Sequence, residues 1–147
     1  KLIFSKRELL DQELLKCRNA RHFEDRYLGK RFDSKISVYR ILDSRREDFK
    51  LRKAYVNKVD VINVITAPEI EILVIIKENK YSDYEKYKSK LKPSEYCTQN
   101  LKMGDVKSKD FLMDYFNDVD ELVKVIKQYK SLHKVLKSEK CLADILR

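Results

Sequence analysis

Turn-forming residues are scarce in this chain: two glycines and two prolines in 147 positions. A β-sandwich or barrel turns every few residues and draws on such residues to do it, so an all-β class is disfavoured and helices joined by polar connectors are favoured. Tryptophan is absent, and nine tyrosines outnumber six phenylalanines. Tyrosine suits half-buried positions, where a ring meets the core and a hydroxyl meets water. Cysteine is sparse and odd in number. Cys17, Cys97 and Cys141 lie far apart, form no CxxC pair and have no zinc-type spacing to His22 or His133. Reduced thiols of a cytoplasmic protein, with no disulfide, are expected.

Long apolar runs are missing as well. No segment reaches membrane-spanning length and no secretory h-region opens the sequence, so no membrane partner is expected. The chain starts on Lys1 rather than Met, which raises the expectation of a natural segment upstream. There is no glycine-rich phosphate loop, no GxSxG and no HExxH. His22 and His133 fall in separate predicted helices and read as surface or helix-end histidines. If the chain catalyses a reaction, carboxylates with Mg²⁺ or Mn²⁺ are the equipment left.

Charge is what the chain has in quantity. Charged residues make up 39% and the net charge is +9. That balance favours an acidic partner such as nucleic acid. Because lysines alternate with Glu and Asp along the chain, a lysine-rich solvated surface is an equal reading. The length fits one domain that buries its own core, with an α/β core over residues 1–80 and a helical half over 81–147 packed on it.

The pattern begins with a helix over 6–18, opened by a capping box at Ser5-Lys-Arg-Glu8. A weaker helix over 20–28 follows, with Gly29 just past its end. Residues 35–42 read as a strand, with Ile36, Val38 and Arg40 on one face and Ser37, Tyr39 and Ile41 on the other. Apolar residues on both faces predict cover on both sides, as in α/β folds. Asp43 then stands at the carboxyl end, where open α/β sheets bind ligands. The run Asp43-Ser-Arg-Arg-Glu-Asp48 is either a metal or phosphate site or a capped turn. Residues 59–65 form a second, partly exposed strand.

Thr66-Ala-Pro-Glu69 predicts a helix over 67–79, apolar nearly all round and therefore buried. Glu69 and Glu71 fall in its first turn, either as ligands or as acids that suit the helix dipole. Beyond it come helices over 83–91, 93–101, 109–116, 118–132 and 138–146. Lys86, Lys88 and Lys90 with interleaved tyrosines make the most basic stretch. It is a candidate nucleic-acid face or a solvated helix side.

The blocks SVYRILDSRRE and VINVITAPEIEILVIIKE resemble the RloB-like proteins, relatives of the Toprim fold tied to bacterial defence and mobile-element loci. Asp43 matches that family's first acid, and Pro68-Glu-Ile-Glu71 its turn and helical acid. The resemblance covers about residues 35–80. It implies a Toprim-like core with a small parallel or mixed sheet, a divalent metal and a nucleic-acid phosphodiester. On that basis Asp43 and Glu71 are the candidate catalytic residues, and Asp43, Glu71 and Glu69 the candidate Mg²⁺ or Mn²⁺ ligands. Arg40, Arg45 and Arg46 would neutralise phosphate. The chain departs from the family at Arg45, which stands where a second acid belongs. The family's first-strand glutamate has no counterpart in residues 1–8.

Three functions follow as expectations. The first is a metal-dependent nuclease of a phage-defence or mobile-element system. The second is a non-catalytic nucleic-acid-binding module, and the third an accessory subunit that docks a protein partner.

Overall fold

The computed structural model describes residues 6–10, 14–30, 32, 34–133, 136 and 139–146. Among them the strands are β1 (Ile36–Leu42) and β2 (Val59–Ile65), paired parallel with Ile36 opposite Val59 and Leu42 opposite Ile65. Lys140 adds a single parallel bridge to Val64. The helices are α1 (Ala20–Phe23), α2 (Lys53–Val56), α3 (Ile72–Lys77), α4 (Tyr81–Tyr84), α5 (Pro93–Asn100), α6 (Lys109–Tyr115) and α7 (Val119–Leu132). The architecture is α/β, with a small parallel sheet and a mainly helical second half.

Helix α3 is the centre. Ile72, Leu73, Val74, Ile75 and Ile76 are all buried, as the all-round apolar pattern predicts. They share one cluster with Val64 of β2, Tyr84 of α4, Tyr96 and Cys97 of α5, and Val125, Ile126 and Tyr129 of α7. Cys141, Leu142 and Ile145 of the closing 3-10 turn complete it. Each buried aliphatic side chain contributes about 1.5–3 kcal/mol. Helix α7 presents Leu122, Val125, Ile126 and Tyr129 at helical spacing, and Asp118 caps it by accepting from the Asp120 and Glu121 amides. Ser108 caps α6 by accepting from the Phe111 amide. At the end of α3, Lys77 donates to the Tyr115 carbonyl at 2.6 Å and lies 2.7 Å from Glu121, joining α6 and α7 to it.

The opposite face of the sheet carries a second cluster. Phe23, Tyr27, Leu28 and Val59 are buried there, with Ile36, Val38, Phe49 and Val61 against them.

Several predicted elements differ from what forms. Residues 6–18 are not one helix. Lys6–Glu8 is a single 3-10 turn, residues 14–19 are without regular structure, and Leu14 is 82% exposed. Its leucines find only a partial apolar surface, through Leu10, Leu15 and Cys17, and a helix nucleus needs such docking to persist. The second predicted helix divides into α1 and a π-helical turn, Glu24–Leu28. Gly29 ends that turn at φ −71°, outside the left-handed region. Helix α3 starts at Ile72, not 67. Pro68 disfavours helical backbone at Ala67, and the Ala67–Pro68 bond is cis. At the far end, Leu142–Ile145 is a 3-10 turn rather than part of a helix over 138–146, and residue 138 lies outside the described residues.

Cover over β1 also differs. Tyr39 and Ile41 share a face with Ile62 and Val64 of β2, yet Val64 is fully buried while Ile41 is 49% exposed. The helical layer reaches β2 and stops short of β1. Ile75→Ala is therefore expected to cost about 3 kcal/mol. Ile41→Ser is expected to change stability by less than about 0.5 kcal/mol. Urea unfolding of both variants measures the contrast.

Candidate functional site

Parallel strands in register bring both carboxyl ends to one edge of the sheet. The Thr66 amide and hydroxyl both donate to the Leu42 carbonyl, at 2.7 and 3.1 Å. Asp43 thus leaves β1 beside the turn that carries Glu69 and Glu71. Tyr129 supports the same turn from α7, its hydroxyl donating to the Ala67 carbonyl at 2.7 Å.

The three predicted acids occupy different surroundings. Asp43 is exposed, Glu69 half-buried and Glu71 buried. Neither glutamate lies in the first turn of α3: Glu71 is its N-cap residue and Glu69 precedes it. Burial pushes the Glu71 carboxyl above its ordinary range; the Glu69 carboxylate and, more weakly, that of Asp43 add to the shift, while a backbone hydrogen bond and the Lys107 charge oppose it. Glu69 is committed elsewhere. Its Oε2 accepts from the Ser94 amide at 3.0 Å and hydroxyl at 2.7 Å, and its Oε1 lies 3.5 Å from Lys107. Burial raises its pKa, but those Ser94 hydrogen bonds and Lys107 outweigh it, and the carboxyl titrates below its ordinary value. Behind them, burial and the Glu71 charge push the Cys97 thiol up to about 12, so it stays protonated.

Of the predicted cations, Arg40 and Arg45 tie parts of the fold together and the others lie on the surface. Arg40 is buried, 3.3 Å from both Asn63 and Glu47, with its guanidinium over the Phe49 ring at 4.7 Å. Arg45 makes a two-pronged pair with Glu139, at 2.6 and 3.0 Å, tying the turn after β1 to the segment that bridges β2. Lys86 pairs with Asp83 at 3.2 Å and Lys88 with Glu85 at 2.8 Å. Arg46 and Lys90 are exposed and have no ion pair among the described residues. In the tyrosine stretch, Tyr84 is buried and Tyr81 half-buried, while Tyr87 is 38% exposed.

Sequence reasoning missed Ser94, Lys107, Tyr129 and Glu139 as parts of this edge. No local signal marks them, because each acts on a residue far away in the chain. His133, expected at a surface or helix end, follows α7 and stacks on the Tyr129 ring at 5.0 Å.

Among the described residues no group of three or more His, Cys, Asp or Glu side chains is arranged to hold a metal ion, and no helix is long and apolar enough to cross a membrane. All three cysteines are free thiols. No protein-family model, curated protein or solved structure matches the chain.

The Glu71 environment gives a signed prediction. A carboxyl whose folded pKa is raised contributes stability below its unfolded value, 4.5, and loses it as pH rises through the folded value. Ionised Glu71 thus costs stability at neutral pH. Glu71→Gln is expected to raise Tm by a few degrees at pH 7, with the gain vanishing below pH 4.5, as followed by thermal scans across pH.

Proposed function

We propose that the chain is a nucleic-acid-binding protein of Toprim-like build whose acidic sheet edge takes one divalent cation, Mg²⁺ or Mn²⁺, through Asp43 and Glu71. The observation that supports this reading is the placement of Asp43, at the carboxyl end of β1, beside the turn that carries the buried Glu71, on an edge of a parallel sheet whose negative charge a cation would offset. Two carboxylates, with water and a phosphate as the remaining ligands, suit a single Mg²⁺. They fall short of the ligands that a two-metal phosphodiesterase needs, because Glu69 is held by Ser94 and Lys107. When bound, the ion would present positive charge to a phosphate oxygen. The chain's own part is to hold Asp43 in place through the Thr66–Leu42 contacts and to carry exposed cations, Arg46 and Lys90 among them, on a surface of net charge +9. No hydrolytic step is assigned.

Fluorescence anisotropy with labelled DNA and RNA tests the reading. Affinity is expected to fall by about a hundredfold or more between 50 and 200 mM salt. Without divalent cation, Asp43→Asn is expected to bind more tightly than the native protein, because one repelling charge is gone. With Mg²⁺ the order is expected to reverse. Undetectable binding to every nucleic acid, or affinity indifferent to salt, rejects the proposal. Strand scission in the same samples that is lost in Asp43→Ala would restore the nuclease reading.

A second reading, an accessory subunit that docks a protein partner, draws on the exposed Ile41 on β1, whose outer edge pairs with no strand among the described residues.

A further inference from the structure

A pocket of about 340 Å³ opens where residues 14–17 pass α1 and the π-helical turn that follows it. It shares no residue with the acidic edge. Among the described residues Leu14, Leu15, Lys16, Cys17, His22, Arg26 and Tyr27 line it, and none of these is an acid. The nearby acids on the same helical segment are engaged elsewhere. Glu24 is buried, its Oε2 2.7 Å from the Arg52 Nε and its Oε1 accepting the Arg52 amide. Asp25 accepts from the Arg52 Nη2 at 2.6 Å. Lys16, His22 and Arg26 are exposed at the pocket and have no ion-pair partner among the described residues.

The arrangement has a polar and an apolar side. The Arg26 guanidinium lies 5.3 Å from the centre of the Tyr27 ring, which restrains its position. Tyr27 is buried, and Leu15 and Cys17 are half-buried. Two positive charges, one of them restrained, and an imidazole N–H donor therefore line the same pocket as aliphatic side chains.

We infer that this pocket binds a phosphate monoester with a planar or apolar body. The phosphate carries close to two negative charges at neutral pH and offers oxygens to a guanidinium in pairs. The leucine side of the pocket, Leu14 and Leu15, takes the body of the ligand. A free nucleotide and the terminal phosphate of a nucleic-acid strand present the same chemistry. The inference stands whether or not the acidic edge binds a cation.

Cys17 supplies the probe, since Cys97 and Cys141 are fully buried and Cys17 is not. Iodoacetamide labelling of Cys17 is followed by mass spectrometry at matched ionic strength. The additions are adenosine monophosphate, inorganic phosphate, or an oligonucleotide with or without a terminal phosphate. A monoester at about ten times its Kd is expected to slow labelling about tenfold. Arg26→Gln and Lys16→Gln are each expected to return the rate towards the unprotected one. Protection by the mononucleotide alone identifies a free ligand, and protection by the phosphorylated oligonucleotide identifies a strand end. Either supports the inference. Labelling rates unchanged by every monoester, equal protection by the oligonucleotide lacking the phosphate, or protection unaltered in both variants overturns it.

Discussion

Burial of α3 on every side constrains the rest of the molecule. A helix with Ile72, Leu73, Val74, Ile75 and Ile76 all inside has no face left for water, so protein must surround it. One strand of the sheet lies in the same cluster, α4 and α5 pack against the helix, and α7 supplies the broadest apolar stripe. The C-terminal segment closes the remaining gap with Cys141, Leu142 and Ile145. This demand explains why a sheet of two paired strands and one bridge suffices. Its stability comes from helices stacked on β2, while β1 is held largely by its pairing and by the N-terminal cluster on the other face.

The same demand places the acidic edge. The chain must leave β2, turn at Pro68 and enter the core at once, and that turn carries Glu69 and Glu71 beside Asp43. One glutamate finds Ser94 and Lys107 and is satisfied. The other is carried into the core by its neighbour Ile72, where burial is the main cause that raises its pKa. The molecule resolves the first acid internally and leaves the second as a source of unfavourable electrostatics.

The high positive charge is distributed in the same spirit. Arg45, Arg52 and Lys77 tie segments far apart in the chain, and Arg40 joins β1 to Asn63 of β2 and to Glu47. Other cations, among them Lys16 and Arg26 near the N-terminal pocket and Arg46 and Lys90 elsewhere, are exposed and without an ion pair among the described residues. Counting lysines and arginines overstates the binding surface, because a guanidinium already paired with a carboxylate has little field to offer.

Local rules carried far where they were strong. Asp118 followed by a clean apolar stripe specified α7, Ser108 specified α6, Pro93 opened α5, and β-branched runs specified both strands. They failed at residues 6–18, where periodic leucines lacked a surface to dock on, at residues 85–91, where turns follow the short α4 instead of the expected helix, and at residue 67, where a capping box was overridden by the backbone limits before proline. By itself the sequence determined the order of elements, the buried centre and the charge the surface must carry, because caps, periodicity and composition act over a few residues. Only the tertiary structure decided which acids repel one another, which arginines are consumed and which strand face stays open. Those outcomes depend on partners as distant as Arg45 and Glu139, and no local pattern encodes such a meeting.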